Sequence, residues 1–431
     1  MHLSKLFLAA LVIFAASSCD NNKPRSEDTQ GAETDTSGNP DISIEPDQAA
    51  PDVTDLTEDD FTPGCVGDLC VAGPDSAPDP REFGPFPVGV MTFETSLYDH
   101  KDKYRTLTVD VHYPATEAFR GGPFVEIDLL TEAPEDVKPL MPTTSNLNPI
   151  ITQMVRDAEL RIKDGPFPMV IFSHGAFGVR FQNVFLTQYM ASHGYIVVCP
   201  DHVGNTLYDM IKAGGYSLDP VIESAFDRPL DVTHLIDLML KWNTTPGHFY
   251  LNSIDPERIG ITGHSFGGYT SFLQAFDDER IKAILPMAPA TQQLVVFGYD
   301  LSEFPVPAMV MAGTLDNTLE TDKDMTAAYE KMPAPKYYFE LKRAGHYSFT
   351  DICSLDLKAL ADEIGFGDAE DALTDGCGDF NVPVDYAHPL IRQFGIGFFN
   401  YYLRDSENSK VYFDATAAIP HEKELIFWLQ E

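Results

Sequence analysis

The chain has 431 residues, with 66 acidic against 29 basic side chains and a formal net charge of −37. Hydrophobic residues at 44% and aromatics at 11% supply enough apolar surface for a sizeable core, which excludes a wholly disordered chain. The charge excludes a nucleic-acid binder and unaided adsorption to anionic lipid, both of which need clustered Lys and Arg, and six Cys are too few for a disulfide scaffold.

In chain order, Lys5 is followed by an apolar run over residues 6–16 that ends in Ala16-Ser17-Ser18-Cys19. A run this short suits the hydrophobic region of an export signal, because spanning a bilayer takes roughly 20 residues. Small residues directly before a Cys resemble the bacterial lipoprotein signal, although Ala16 stands where that pattern has Leu. The resemblance implies a signal peptide over residues 1–18, acylation of Cys19, and an exported protein held by lipid on the periplasmic or cell-surface side of a bacterial membrane. Residues 20–80 hold 16 Asp and Glu against Lys23 and Arg25, with much Pro, Thr, Ser and Gly. Such a stretch cannot bury enough surface to offset its ordering entropy, so residues 19–82 are expected to form an acidic disordered tether. Cys65 and Cys70 lie near its end, five residues apart with no further metal ligands nearby, and a local disulfide is expected there.

Residues 83–431 are expected to form one catalytic domain. Strands are predicted at 88–93, 106–113, 167–173, 195–200, 258–262, 281–287, 308–312 and 337–341. Helices are predicted at 182–192, 231–242, 267–276, 325–332 and 391–403. Alternation of helices with continuous apolar strands predicts an α/β fold, a mostly parallel twisted sheet with helices on both faces. Residues 116–164 and 203–227 do not fit the rhythm and read as insertions that shape access to a site.

The segment Gly263-His264-Ser265-Phe266-Gly267-Gly268 falls between a predicted strand and a predicted helix. That context makes Gly-x-Ser-x-Gly a nucleophile turn: Ser265 is exposed on a strained bend, and Gly263 and Gly267 leave room for it. A Ser hydroxyl needs a base, and His346, in Gly345-His346-Tyr347, lies on a loop after the strand predicted at 337–341. His264 is expected to face away and to be structural. Asp316 follows the strand at 308–312 and is the expected partner of the imidazole, whereas Asp351 is expected to cap a helix starting at Ile352. The loop Ser173-His174-Gly175-Ala176-Phe177-Gly178 is the expected oxyanion loop, with the N–H groups of Ala176 and Phe266 as donors and His174 as a bracing side chain. No His-Glu-x-x-His or similar cluster is present, so neither metal nor other cofactor is expected.

The order Ser265, Asp316, His346 is that of the α/β-hydrolases. Together with Pro200-Asp201-His202-Val203-Gly204-Asn205-Thr206 and Arg228-Pro229-Leu230-Asp231-Val232, these motifs resemble the platelet-activating factor acetylhydrolase group, which sits beside the dienelactone hydrolases and the cutinase-like polyester hydrolases. The resemblance covers residues 85–405. It implies a cofactor-free serine esterase or lipase acting on short-chain or oxidised lipid esters. There are departures. In the plasma-type acetylhydrolases the acid follows the strand after the nucleophile helix, and here Leu285-Pro286-Met287-Ala288-Pro289-Ala290 has no carboxylate. Asp316 matches the cutinase-like and dienelactone branches instead. The aromatic clamp of polyester hydrolases is replaced by Ala176 and Ala290, and the Cys nucleophile of the dienelactone enzymes by Ser265.

Cys353 and Cys377 flank an insertion after His346 and are expected to pair in an exported protein, while Cys199 reads as a free core thiol. The expected protein is a monomer acting on a small-molecule ester or lipid. A polyester hydrolase, an amidase on the same three residues, and a non-catalytic surface binding protein are the alternatives.

Overall fold

A computed structural model describes residues 78–141, 148–355 and 374–431. The signal, most of the tether, and Cys19, Cys65 and Cys70 lie outside the described residues.

Ten strands form one sheet in the order β12-β11-β10-β9-β8-β6-β7-β2-β1-β5. Its centre is β6 (Phe167–Ser173), β7 (Ile196–Pro200), β8 (Ile254–His264), β9 (Ile281–Met287), β10 (Ala308–Gly313) and β11 (Lys336–Leu341), paired in parallel. All residues of β6, β7 and β10 are buried, as expected for strands covered on both faces. On one side β2 (Tyr104–Pro114) runs antiparallel to β7 and pairs with β1 (Val88–Tyr98). On the other, β12 (Leu425–Gln430) closes the edge antiparallel to β11.

Of the helices, α1 (Val184–Ser192) follows the β6 loop and α4 (Phe266–Asp277) follows β8. Between them in sequence lie α2 (Leu207–Lys212) and α3 (Asp219–Thr244). The chain then forms α5 (Gln292–Val296), α6 (Ala327–Lys331) and α7 (Val384–Arg404). Helix α3 is far longer than the predicted 231–242. The helix runs through Pro229. Val221, Ala225, Val232, Leu235, Ile236 and Met239 form a continuous buried stripe at helical spacing, and packing of that stripe outweighs the one lost hydrogen bond. The segment 203–227 is therefore largely helix. The other expected insertion supplies β5 (Met154–Arg156), which extends the sheet beside β1, and a small ribbon of β3 (Glu126–Ile127) with β4 (Ile150–Ile151). It packs on α2 in a second apolar cluster that includes Ile127, Leu129, Ile150, Tyr208 and Ile211.

Candidate active site

The carboxyl ends of β6, β8, β10 and β11 bring their following loops to one end of the sheet, where an open α/β sheet binds its ligands. Strand β8 ends at His264, and Ser265 turns the chain into α4 at φ 56° and ψ −114°, a strained conformation for a residue with a side chain. From Ile259 to Ala275 every residue except Ser265 is buried. The flanking glycines are required sterically. A Cβ on Gly267 would stand 1.8 Å from the Ser173 carbonyl oxygen, and one on Gly263 would stand 2.4 Å from that of Gly267.

His346 lies on the loop after β11, with only 2% of its surface exposed. Its Nδ1 donates to Asp316 Oδ2 at 2.8 Å, and the Asp316 side chain is itself sealed from solvent. Asp316 Oδ1 accepts from the N–H groups of Thr318 at 2.9 Å and Leu319 at 2.8 Å, which fixes the carboxylate. Burial pushes the imidazole pKa down, but the charge and hydrogen bond of Asp316, with Asp375 and Asp324 further off, outweigh it, and the net shift is upward from 6.5. The other ring nitrogen, Nε2, has no hydrogen-bond partner among the described residues. Ser265 Oγ likewise makes no hydrogen bond to a described residue.

A chain of side chains locks three loops together. The Gly175 N–H donates to Gln182 Oε1 at 3.0 Å, Gln182 Nε2 donates to His264 Nδ1 at 2.8 Å, and His264 Nε2 donates to the His346 carbonyl at 2.9 Å. The directions agree only if His264 is neutral with its proton on Nε2. Burial, aided by the neighbouring His346, lowers its pKa well below 6.5. His264 thus faces the His346 loop rather than away from it. Asp351 also differs from expectation. Thr350 caps the short turn at Ile352, while Asp351 Oδ2 accepts the Phe185 N–H at 2.8 Å and so caps α1.

In the β6 loop, burial breaks at Ala176 and Phe177. The Ala176 N–H has no acceptor among the described residues, whereas that of Phe177 donates to the Asn205 carbonyl. Phe266 opens α4, so its N–H has no intrahelical acceptor either. The loop lies against the elbow: a Cβ on Gly175 would stand 3.5 Å from Ser265 Cβ. His174 braces the loop, its Nδ1 donating to the Gly175 carbonyl at 2.7 Å and its Nε2 accepting the His202 N–H at 3.0 Å.

Cys353 and Cys377 form a disulfide, and Cys199 is a buried free thiol. Asp375, two residues before the bridge, had no role in the sequence reading. Its side chain accepts from Asn317 N at 2.9 Å and Thr318 Oγ1 at 2.8 Å beside Asp316, and its carbonyl accepts the Tyr347 N–H at 2.8 Å beside His346. Gln182 and Asp375 carry no local motif, since their partners lie in other loops. Among the described residues there is no cluster able to hold a metal ion and no helix long and apolar enough to cross a membrane.

Residues 165–359 match the family described as PET hydrolase-like, and residues 77–208 match platelet-activating factor acetylhydrolase, isoform II. Cutinase est1 of Thermobifida alba is 23% identical over 188 residues, 43% of this chain and 55% of that protein. Lipase 1 of Moraxella sp. (strain TA144) is 27% identical over 158 residues, 37% of this chain and 41% of the relative. The chain thus spans about half the length of the curated relatives it matches. Among solved structures, the ferulic acid esterase from Streptomyces cinnamoneus is similar over 80% of this chain and 97% of that one, with a TM-score of 0.55 and 19% identity. The parallel sheet, the strand–turn–helix around Ser265 and the extent of that structural match make this chain an α/β-hydrolase by fold.

Proposed function

We propose that the chain is a serine carboxylic-ester hydrolase whose catalytic domain comprises residues 83–431. The observation that carries this reading is the Asp316–His346 pair, 2.8 Å apart and buried, on loops locked to the strained Ser265 turn. Ser265 Oγ attacks the ester carbonyl while His346 Nε2 takes its proton. Asp316 keeps the imidazole proton on Nδ1 and stabilises the imidazolium. The N–H groups of Ala176 and Phe266 receive the oxyanion. His346 then protonates the leaving alcohol, and water cleaves the acyl-enzyme by the same route. Support for ester chemistry comes from the cutinase and lipase relatives.

The substrate class that follows from the acetylhydrolase resemblance is a short-chain or oxidised lipid ester. The strongly acidic chain favours a neutral or zwitterionic one. The protein is exported, anchored through lipid at Cys19 and held off the membrane by residues 19–82, where like charges extend the chain. The PET hydrolase-like match spans Ser265, Asp316 and His346 and favours a second reading, hydrolysis of polyesters.

The test is turnover of a short p-nitrophenyl ester by the wild type and Ser265→Ala, with fluorophosphonate labelling of Ser265. Activity and labelling that vanish together in the variant support the assignment, and a fully active Ser265→Ala sinks it. Esters of increasing chain length, oxidised phospholipids, a polyester film and a matched amide separate the substrate classes.

A further inference from the structure

Arg228 is a fully buried cation with no carboxylate in salt-bridge contact among the described residues. Asp231, the acid whose charge acts on it, is already engaged by Arg105 and by His202 Nδ1 at 2.8 Å. Arg228 instead spends its donors on the loop that precedes Ala176. Nη1 donates to the His174 carbonyl and to Ser173 Oγ at 3.2 Å. Nη2 donates to the Gly175 carbonyl at 3.0 Å and to Asn205 Oδ1 at 2.7 Å, and Nε donates to Ser224 Oγ at 3.0 Å. The guanidinium also lies over the Phe266 ring, 4.7 Å from its centroid.

We propose that Arg228 is the positioning residue of the oxyanion hole, turning the Ala176 N–H toward Ser265 and setting a positive charge behind both donor amides. The inference rests on the serine-hydrolase reading above. A trans peptide points its C=O and N–H in opposite directions. Holding the Gly175 carbonyl on α3 therefore turns the Ala176 N–H of the same peptide away from α3. Phe266, whose N–H is the second donor, is held under the same guanidinium. A neutral side chain would serve as a strut without the cost of burying an unpaired charge. A cation behind the loop adds what a strut lacks, an attraction that grows as negative charge develops on the oxyanion. Burial lowers the Arg228 pKa to about 9, partly countered by Asp231, so the group stays charged at neutral pH.

The test compares Arg228→Lys, Arg228→Gln and Arg228→Met with the wild type, using kcat and KM on p-nitrophenyl butyrate and inhibition by a phenylboronate, which forms an anionic tetrahedral adduct. Folding is checked by thermal unfolding. Arg228→Gln and Arg228→Met are expected to lose about 100-fold in kcat, the scale of losing one oxyanion donor, with KM little changed and boronate affinity falling in parallel. Arg228→Lys, which keeps the charge, should recover part of the loss. Folded Gln and Met variants with wild-type kcat, or a change confined to KM, would overturn the proposal. If the Arg228 variants do not fold, Ser224→Ala frees Nε while leaving the charge in place. It should lower kcat by a smaller factor at constant KM, and an unaltered kcat there overturns the proposal as well. A wild type that hydrolyses the ester alongside an equally active Arg228→Gln defeats this inference alone. A wild type that neither hydrolyses ester nor takes the fluorophosphonate defeats both readings.

Discussion

Breaking the Cys353–Cys377 bridge should cost stability and activity through two separable routes. The bridge closes a loop with a sequence separation of 24. For a ring of that size the chain-entropy treatment gives about 3.5 kcal/mol of stabilisation, from constraint of the unfolded chain. Spread over the unfolding entropy of roughly 350 residues, that corresponds to a fall in Tm of about 5 °C. The second route runs through Asp375, which the bridge holds against both loops of the candidate site. Three donors of the Asp316 loop and one of the His346 loop end on this residue, and Ser348 Oγ donates to the adjacent Gly376 carbonyl at 3.2 Å. A displacement of about 1 Å between base and acid loops is expected to cost on the order of 100-fold in rate. The assay pairs thermal unfolding with p-nitrophenyl ester turnover for Cys353→Ser/Cys377→Ser and, separately, for Asp375→Ala with the bridge intact. The double variant should show both losses, and Asp375→Ala should lose kcat with the loop-entropy term retained. A double variant with wild-type Tm would refute the entropic argument. Unchanged turnover in Asp375→Ala would refute the clamp.

Asp316→Asn should lower kcat by about 10⁴-fold, because an amide no longer fixes the imidazole tautomer or stabilises its charged form. Wild-type kcat/KM should rise with pH through a midpoint above the ordinary 6.5, since the base acts when neutral and its pKa is raised. In Asp316→Asn burial is less opposed, so the residual activity should titrate at lower pH, and an unmoved midpoint in the pH–rate profile would count against the pairing. Asp351 governs stability instead. Burial raises its folded pKa from 3.8 to about 7, countered by the backbone N–H groups of Phe185 and Val184. The folded state then holds a proton that the unfolded chain releases, so this residue makes stability fall as pH rises from about 4 to 7, by up to about 4 kcal/mol. Urea unfolding across that interval should show the wild type losing stability relative to Asp351→Asn, and parallel curves would exclude the coupling.

Strands β6, β7 and β10 were legible in the sequence because each is a buried run with no charged residue, and β6 and β9 fall where the pattern puts them. The Ser265 turn was legible because its glycines have a local reason, contact with Ser173 and with each other. What could not be read was set by tertiary contact. The first three turns of α3 look polar in sequence, since Ser224, Asp227, Arg228 and Asp231 interrupt the apolar stripe, yet all four are buried, and Arg228 and Asp231 bond the loops after β6 and β7. β12 was missed for a different reason. It is an edge strand whose burial is partial, and only pairing with β11 distinguishes it from a tail. Asp351 shows the limit of local rules. The residue caps a helix, but one that precedes it by some 160 positions.

The placement of the proposed acid after β10 rather than after β9 has a physical reason in the fold. The turn after β9 is occupied with holding the elbow. Met287 gives its carbonyl to the Ser265 N–H at 2.8 Å, Ala290 N–H reaches back to the Ser265 carbonyl, and Ala288, itself at φ 43°, donates to the Met311 carbonyl at 2.8 Å. Pro289 packs so closely on α4 that a Cβ on Gly268 would stand 2.7 Å from its Cβ. Ala288 and Ala290 are buried in these contacts, with no room for a solvated carboxylate. The next strand ends in a freer turn, where Asp316 Oδ1 takes two backbone N–H groups and Oδ2 remains for His346. The acetylhydrolase match ends at residue 208, before the elbow, and the PET hydrolase-like match carries through Ser265, Asp316 and His346.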